Sequence, residues 1–101
     1  DYNKQVETNV ETQAVIDSVV GYITSHNYKD FPTVVALVED ATDQLGFAAE
    51  AKAKAEAAAT KKDWSTAMLW ANQWWQYQVK TADMGLRAKT YLEENGAKKL
   101  K

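Results

Sequence analysis

Glu39, Asp40 and Asp43 lie in one run of helical periodicity, with Glu39 and Asp43 a single turn apart. Carboxylates at that spacing can hold a divalent cation or work as a general acid and base. Nothing beside them completes either device, so they are expected to form an exposed helix face. The chain has one histidine, His26, and no cysteine. One histidine cannot build a zinc site without further ligands, and no thiolate is available. A di-iron bundle needs two Glu-x-x-His motifs, and an EF-hand needs its own acidic loop; the chain has neither. His26 with Met68 or Met84 could supply the axial ligands of a non-covalent haem. The simpler expectation is a loop histidine that caps one end of the fold with Tyr22 and Tyr28. Ser18, Ser25 and Ser65 stand in no Gly-x-Ser-x-Gly turn, and there is no glycine-rich phosphate loop. The expectation is a chain that is not an enzyme, with no metal and no cofactor.

The most distinctive side chains are aromatic. Trp64, Trp70, Trp74 and Trp75 fall within twelve residues. On a helix they divide between two apolar bands. The first contains Trp64, Ala67, Met68, Ala71, Trp74, Trp75, Val79, Ala82 and Leu86, and is expected to be core. The second, rotated by about 140° at 100° per residue, contains Trp70, Tyr77, Met84, Ala88 and Tyr91. Exposed aromatic patches mark interaction sites, and Trp and Tyr are enriched at binding hot spots. This second strip either packs on the third element of the bundle or stays exposed, and in the second case it is the candidate surface. The expected binding residues are Trp70, Trp74, Tyr77, Met84 and Tyr91, in an aromatic cluster that meets a protein partner or a second copy. The alternative is a small ligand in a Trp/Tyr-lined pocket between helices.

Helices must position these residues. Val6, Val10, Ile16, Val19, Val20 and Ile23 share about one third of a helical wheel, with Lys4, Glu7, Glu11 and Ser18 opposite. High β-branched content makes strand the competitor near Ala14–Ile23, but no two-residue alternation is sustained. Pro32 suits a first helical turn. Val34, Leu37, Val38, Ala41 and Leu45 then repeat at helical spacing. Beyond Gly46 the alanines Ala48, Ala51, Ala55 and Ala59 form an offset stripe, which predicts a kink, a break or a drifting face at Gly46. Asp63 is a good N-cap for the tryptophan helix, and Asn95-Gly96 a good stop. The fold expected is an all-α, antiparallel three-helix bundle, with four helices if the second breaks at Gly46. It forms one domain over residues 1–101, with a frayed basic tail at 96–101. The alanine face should pack against the tryptophan helix, small against large.

Charge bounds the partners. Net charge is −2, which argues against nucleic acid. The charge is polarised, with eight acids against two lysines in residues 1–43 and ten bases against six acids afterwards. Such a distribution serves either to draw the halves together or to orient a partner. No apolar run approaches the ~18 residues of a membrane span. The chain begins at Asp1 without methionine, which fits a mature exported product and a trimmed chain alike; the location expected is periplasmic or secreted, slightly favoured over the cytoplasm.

Overall fold

The computed structural model describes all residues, Asp1–Lys101. Three helices, α1 (Tyr2–Thr24), α2 (Pro32–Thr60) and α3 (Trp64–Glu94), pack together with no strands, as an all-α three-helix bundle. A single 3₁₀ turn at Tyr28–Asp30 lies between α1 and α2. Asp1 caps α1 by accepting the Lys4 N–H at 2.9 Å, and Asp63 caps α3 by accepting the Thr66 N–H at 3.3 Å. Pro32 occupies the first turn of α2. At the end of α3, Gly96 turns to φ 66° and the Ala97 N–H donates to the Leu92 carbonyl at 3.0 Å. This is the left-handed stop that Asn95-Gly96 predicts.

The helices meet along seams that alternate steps of three and four residues. On α3 every buried residue belongs to one such series: Ala67, Ala71, Trp74, Gln78, Thr81, Gly85, Ala88 and Leu92. On α2 the series is Val34, Leu37, Ala41, Gln44, Ala48, Ala51, Ala55 and Ala58, all buried or half-buried. On α1 it is Tyr2, Gln5, Asn9, Thr12, Ile16, Val19 and Ile23. A repeat of 3.5 keeps one line of side chains facing its neighbours over the whole length of a helix. The bundle is a rod of 49 × 20 × 19 Å, close to the ~46 Å that 31 helical residues span.

This periodicity corrects several expectations. Helix α2 runs unbroken through Gly46, which is exposed at the point of the heptad furthest from the seam. The apparent offset arose because Gln44 was not counted as a seam residue. Of the expected core band on α3, Ala67, Ala71 and Trp74 are buried, and Met68, Trp75 and Ala82 half-buried. Trp64, Val79 and Leu86 are exposed. A straight 3.6-residue stripe drifts away from a 3.5-residue seam, so its outer members leave the core. On α1, Val10 and Val20 are also exposed, each one residue past a seam position. The tail is tied down rather than frayed: the Asn27 N–H donates to the Lys98 carbonyl at 2.9 Å, and the Leu100 N–H donates to the Ser25 carbonyl at 2.7 Å.

The core is divided lengthwise. Ala48, Ala51, Ala55, Ala71 and Trp74 form one apolar group, and Val19, Ile23, Val34, Ala88 and Leu92 another. Between them the seams carry amides. Asn9, fully buried, donates through Nδ2 to the Ala71 carbonyl at 3.0 Å. Gln78, also fully buried, donates through Nε2 to the Asn9 carbonyl at 2.9 Å and to Gln13 Oε1 at 3.2 Å. These bonds fix the register of α1 against α3.

Candidate functional site

The expected binding strip on α3 faces α2. Trp70 and Tyr77 pack against the group containing Ala48, Ala51 and Ala55, as small-against-large packing requires. Lys54 Nζ lies 4.4 Å from the Trp70 ring centroid, and the Phe47 ring lies 5.5 Å from that of Tyr77. Tyr91 meets Phe31 edge-on at 6.2 Å. Trp70, Tyr77, Met84 and Tyr91 are half-buried, and Trp74 is only 6% exposed. Neither the strip nor the four tryptophans form one aromatic cluster. The aromatic rings are spread along the rod in separate pairs, and Trp64 pairs with Tyr2 at 5.8 Å at one end.

Other sequence candidates are also dispersed. Glu39, Asp40 and Asp43 are exposed on α2. His26 stacks on Tyr22 with ring centroids 4.1 Å apart, and its Nδ1 donates to the Tyr22 carbonyl at 2.6 Å. That carbonyl only accepts, so Nδ1 carries the proton. His26 therefore closes the α1 end against the C-terminal tail, with which it pairs at Lys99.

An open line on the rod lies opposite α3. Helix α3 packs along both neighbours, while the α1 and α2 backbones make almost no close approach to each other. Their facing flanks bound a groove. Val10, Gln13, Ala14 and Asp17 of α1, Lys52 of α2 and Trp74 of α3 line a cleft of about 310 Å³ within it. Val10 is 60% exposed and Val20 41% exposed, both on this flank of α1. Leaving large apolar side chains in water forgoes about 1–2 kcal/mol each relative to burial. Two larger hollows of about 480 Å³ sit at the rod ends, one beside Tyr2, Trp64 and Met68, the other beside His26, Tyr28 and Leu100.

Charge around the groove is one-sided. Asp17 lines the cleft together with the single base Lys52, Glu7 stands one heptad before the lining residue Ala14 on the same flank of α1, and Glu56 lies one turn beyond Lys52 on α2, beside Tyr2. Lys52 Nζ bends over the Trp74 ring, 5.6 Å from its centroid. None of these acids is neutralised by an ion pair, because the one salt bridge of the molecule joins Asp83 to Arg87 at 3.0 Å within α3. The polarised sequence charge is thus not consumed by bridges between helices. At the open end of the groove Tyr2 is pushed above its ordinary phenolic value, first by burial and then by the negative charge of Glu56.

Sequence reasoning placed Val10 and Val20 in the core and gave Gln13, Asp17 and Lys52 no role. The available signal was an apolar stripe on α1 wider than one helical seam can bury. No protein-family model, curated protein or solved structure matches this chain.

Proposed function

We propose that this chain is a non-catalytic helical interaction module that receives a segment of a partner protein in the α1–α2 groove. The observation that carries this reading is the exposure of Val10 and Val20 on the flank that α1 turns toward α2, above a floor that includes Trp74. The aromatic strip of α3 is replaced as the candidate surface, because α2 already packs on it. Trp74 remains in the candidate site, through the part of its ring that lines the cleft.

The test is photo-crosslinking in the native host. A photoreactive residue at Val10 should capture a discrete protein, whereas one at Ala53, exposed on the outer face of α2, should capture nothing comparable. Equal capture at both positions, or none at Val10, would refute the assignment. A second reading is favoured by the cleft itself, whose volume is at the lower limit for small-ligand pockets. A small apolar ligand seated there would change Trp74 emission in a monomer without any partner.

A further inference from the structure

We infer that the occupant of the groove is a basic amphipathic helix of another protein, an inference that rests on reading the chain as an interaction module. Shape comes first. Two antiparallel helix walls whose backbones stand apart form the seat of a fourth helix, which would complete a four-helix arrangement opposite α3. From Val6 to Val20 the wall of α1 runs about 21 Å, or four turns of a docked helix. Apolar surplus comes second. Val10 and Val20 stand open on one wall, and Val38 and Leu45 are only half-covered on the other. A helix with an apolar stripe would cover all four, in the groove-binding mode that amphipathic helices use.

Charge selects the kind of helix. Glu7 and Asp17 edge one wall, and Glu56 the other, without ion-paired bases. Lysines or arginines flanking the apolar stripe of the incoming helix would meet carboxylates on both sides. The same rim repels phosphate backbones and anionic lipid surfaces. In a second copy all three core seams are already used, and Val79 and Leu86, left exposed one heptad apart on α3, span only about two turns against the four of the groove.

The probe is an amidated peptide of about 20 residues with leucine at the seam positions and lysine on the flanks. Its control carries glutamate in place of every lysine. Isothermal titration should show that the lysine peptide binds and the glutamate peptide does not. Affinity should fall about tenfold as salt rises from about 50 to about 300 mM. In nitrogen-15 NMR the Trp74 indole should shift and the Trp64 indole should not. The double variant Val10→Lys, Val20→Lys should abolish binding, while Ala53→Lys should leave it intact. Equal binding of both peptides, or wild-type binding by the double variant, would overturn the inference. So would self-association that excludes the peptide. If a crosslink forms at Val10 but the lysine peptide does not bind, the inference fails and the interaction reading stands. If no crosslink forms either, both fail.

Discussion

Two glycines with the same helical propensity occupy opposite environments, and single substitutions should separate them. A methyl group added at Gly85 would lie 2.8 Å from Val19 Cγ1. Val19 is β-branched and buried, so it has no free rotamer into which to retreat. Val19 of α1 therefore packs directly on Gly85 of α3. Replacing it with alanine should overpack the seam and lower stability by about 1 kcal/mol or more, despite the gain in helix propensity. Gly46 has nothing within 4 Å of such a methyl group. Gly46→Ala should raise stability by up to about 1 kcal/mol, because only the propensity term acts there. Urea unfolding of the two variants should move the midpoint in opposite directions. A shared direction would show that α1 does not rest on Gly85. The sequence could not distinguish these residues, since both interrupt an otherwise good helix and their difference lies entirely in what stands opposite.

At the scale of the element, helix identity was legible and helix rotation was not. Asp63, Pro32 and Asn95-Gly96 mark the ends of α2 and α3 as the backbone uses them, because capping is local chemistry. Which face turns inward depends on partners. Asn9, Gln44, Gln78 and Thr81 read as surface residues by type, yet all four lie on the seams. Asn9 and Gln78 are stabilised there by amide donation to carbonyls of a neighbouring helix, which no single-helix pattern reveals. With these polar members left out, the apolar stripes appear rotated, and the sequence leaves open whether the strip from Trp70 to Tyr91 packs on another helix; Trp70 and Tyr77 pack against the α2 alanines. The amides leave a testable residue. Gln44 Oε1 and Gln78 Oε1 are buried and have no protein hydrogen-bond partner. An unpaired buried acceptor costs about 1–3 kcal/mol, and methionine has nearly the volume of glutamine without that oxygen. Gln44→Met should therefore raise the unfolding free energy by about 1–3 kcal/mol and move the urea midpoint upward. A lowered midpoint would show that the oxygen is satisfied in solution and that the amide contributes to stability. Gln78→Met should behave differently, because it also removes two donated bonds that hold α1 in register.

For the molecule as a whole, the decisive asymmetry is that α3 serves both neighbours while α1 and α2 hardly approach each other. A three-helix rod built on such small seam residues leaves one long side open, and the groove there combines exposed valines with unpaired acids. Val10 and Val20 belong to this open surface and not to the core that stabilises the fold. The width of the α1 stripe was the one sequence signal of this placement; burial of valine is the default expectation on an amphipathic helix, and the separation of α1 from α2 reverses it. Urea unfolding of the Val10→Lys, Val20→Lys double variant tests the claim most directly. If the groove is open, two lysines extend into water and the unfolding free energy should stay within about 0.5 kcal/mol of wild type, as surface substitutions do. If α1 and α2 close on each other in solution, two charges would be forced into an apolar seam. A loss of several kcal/mol would then contradict the account.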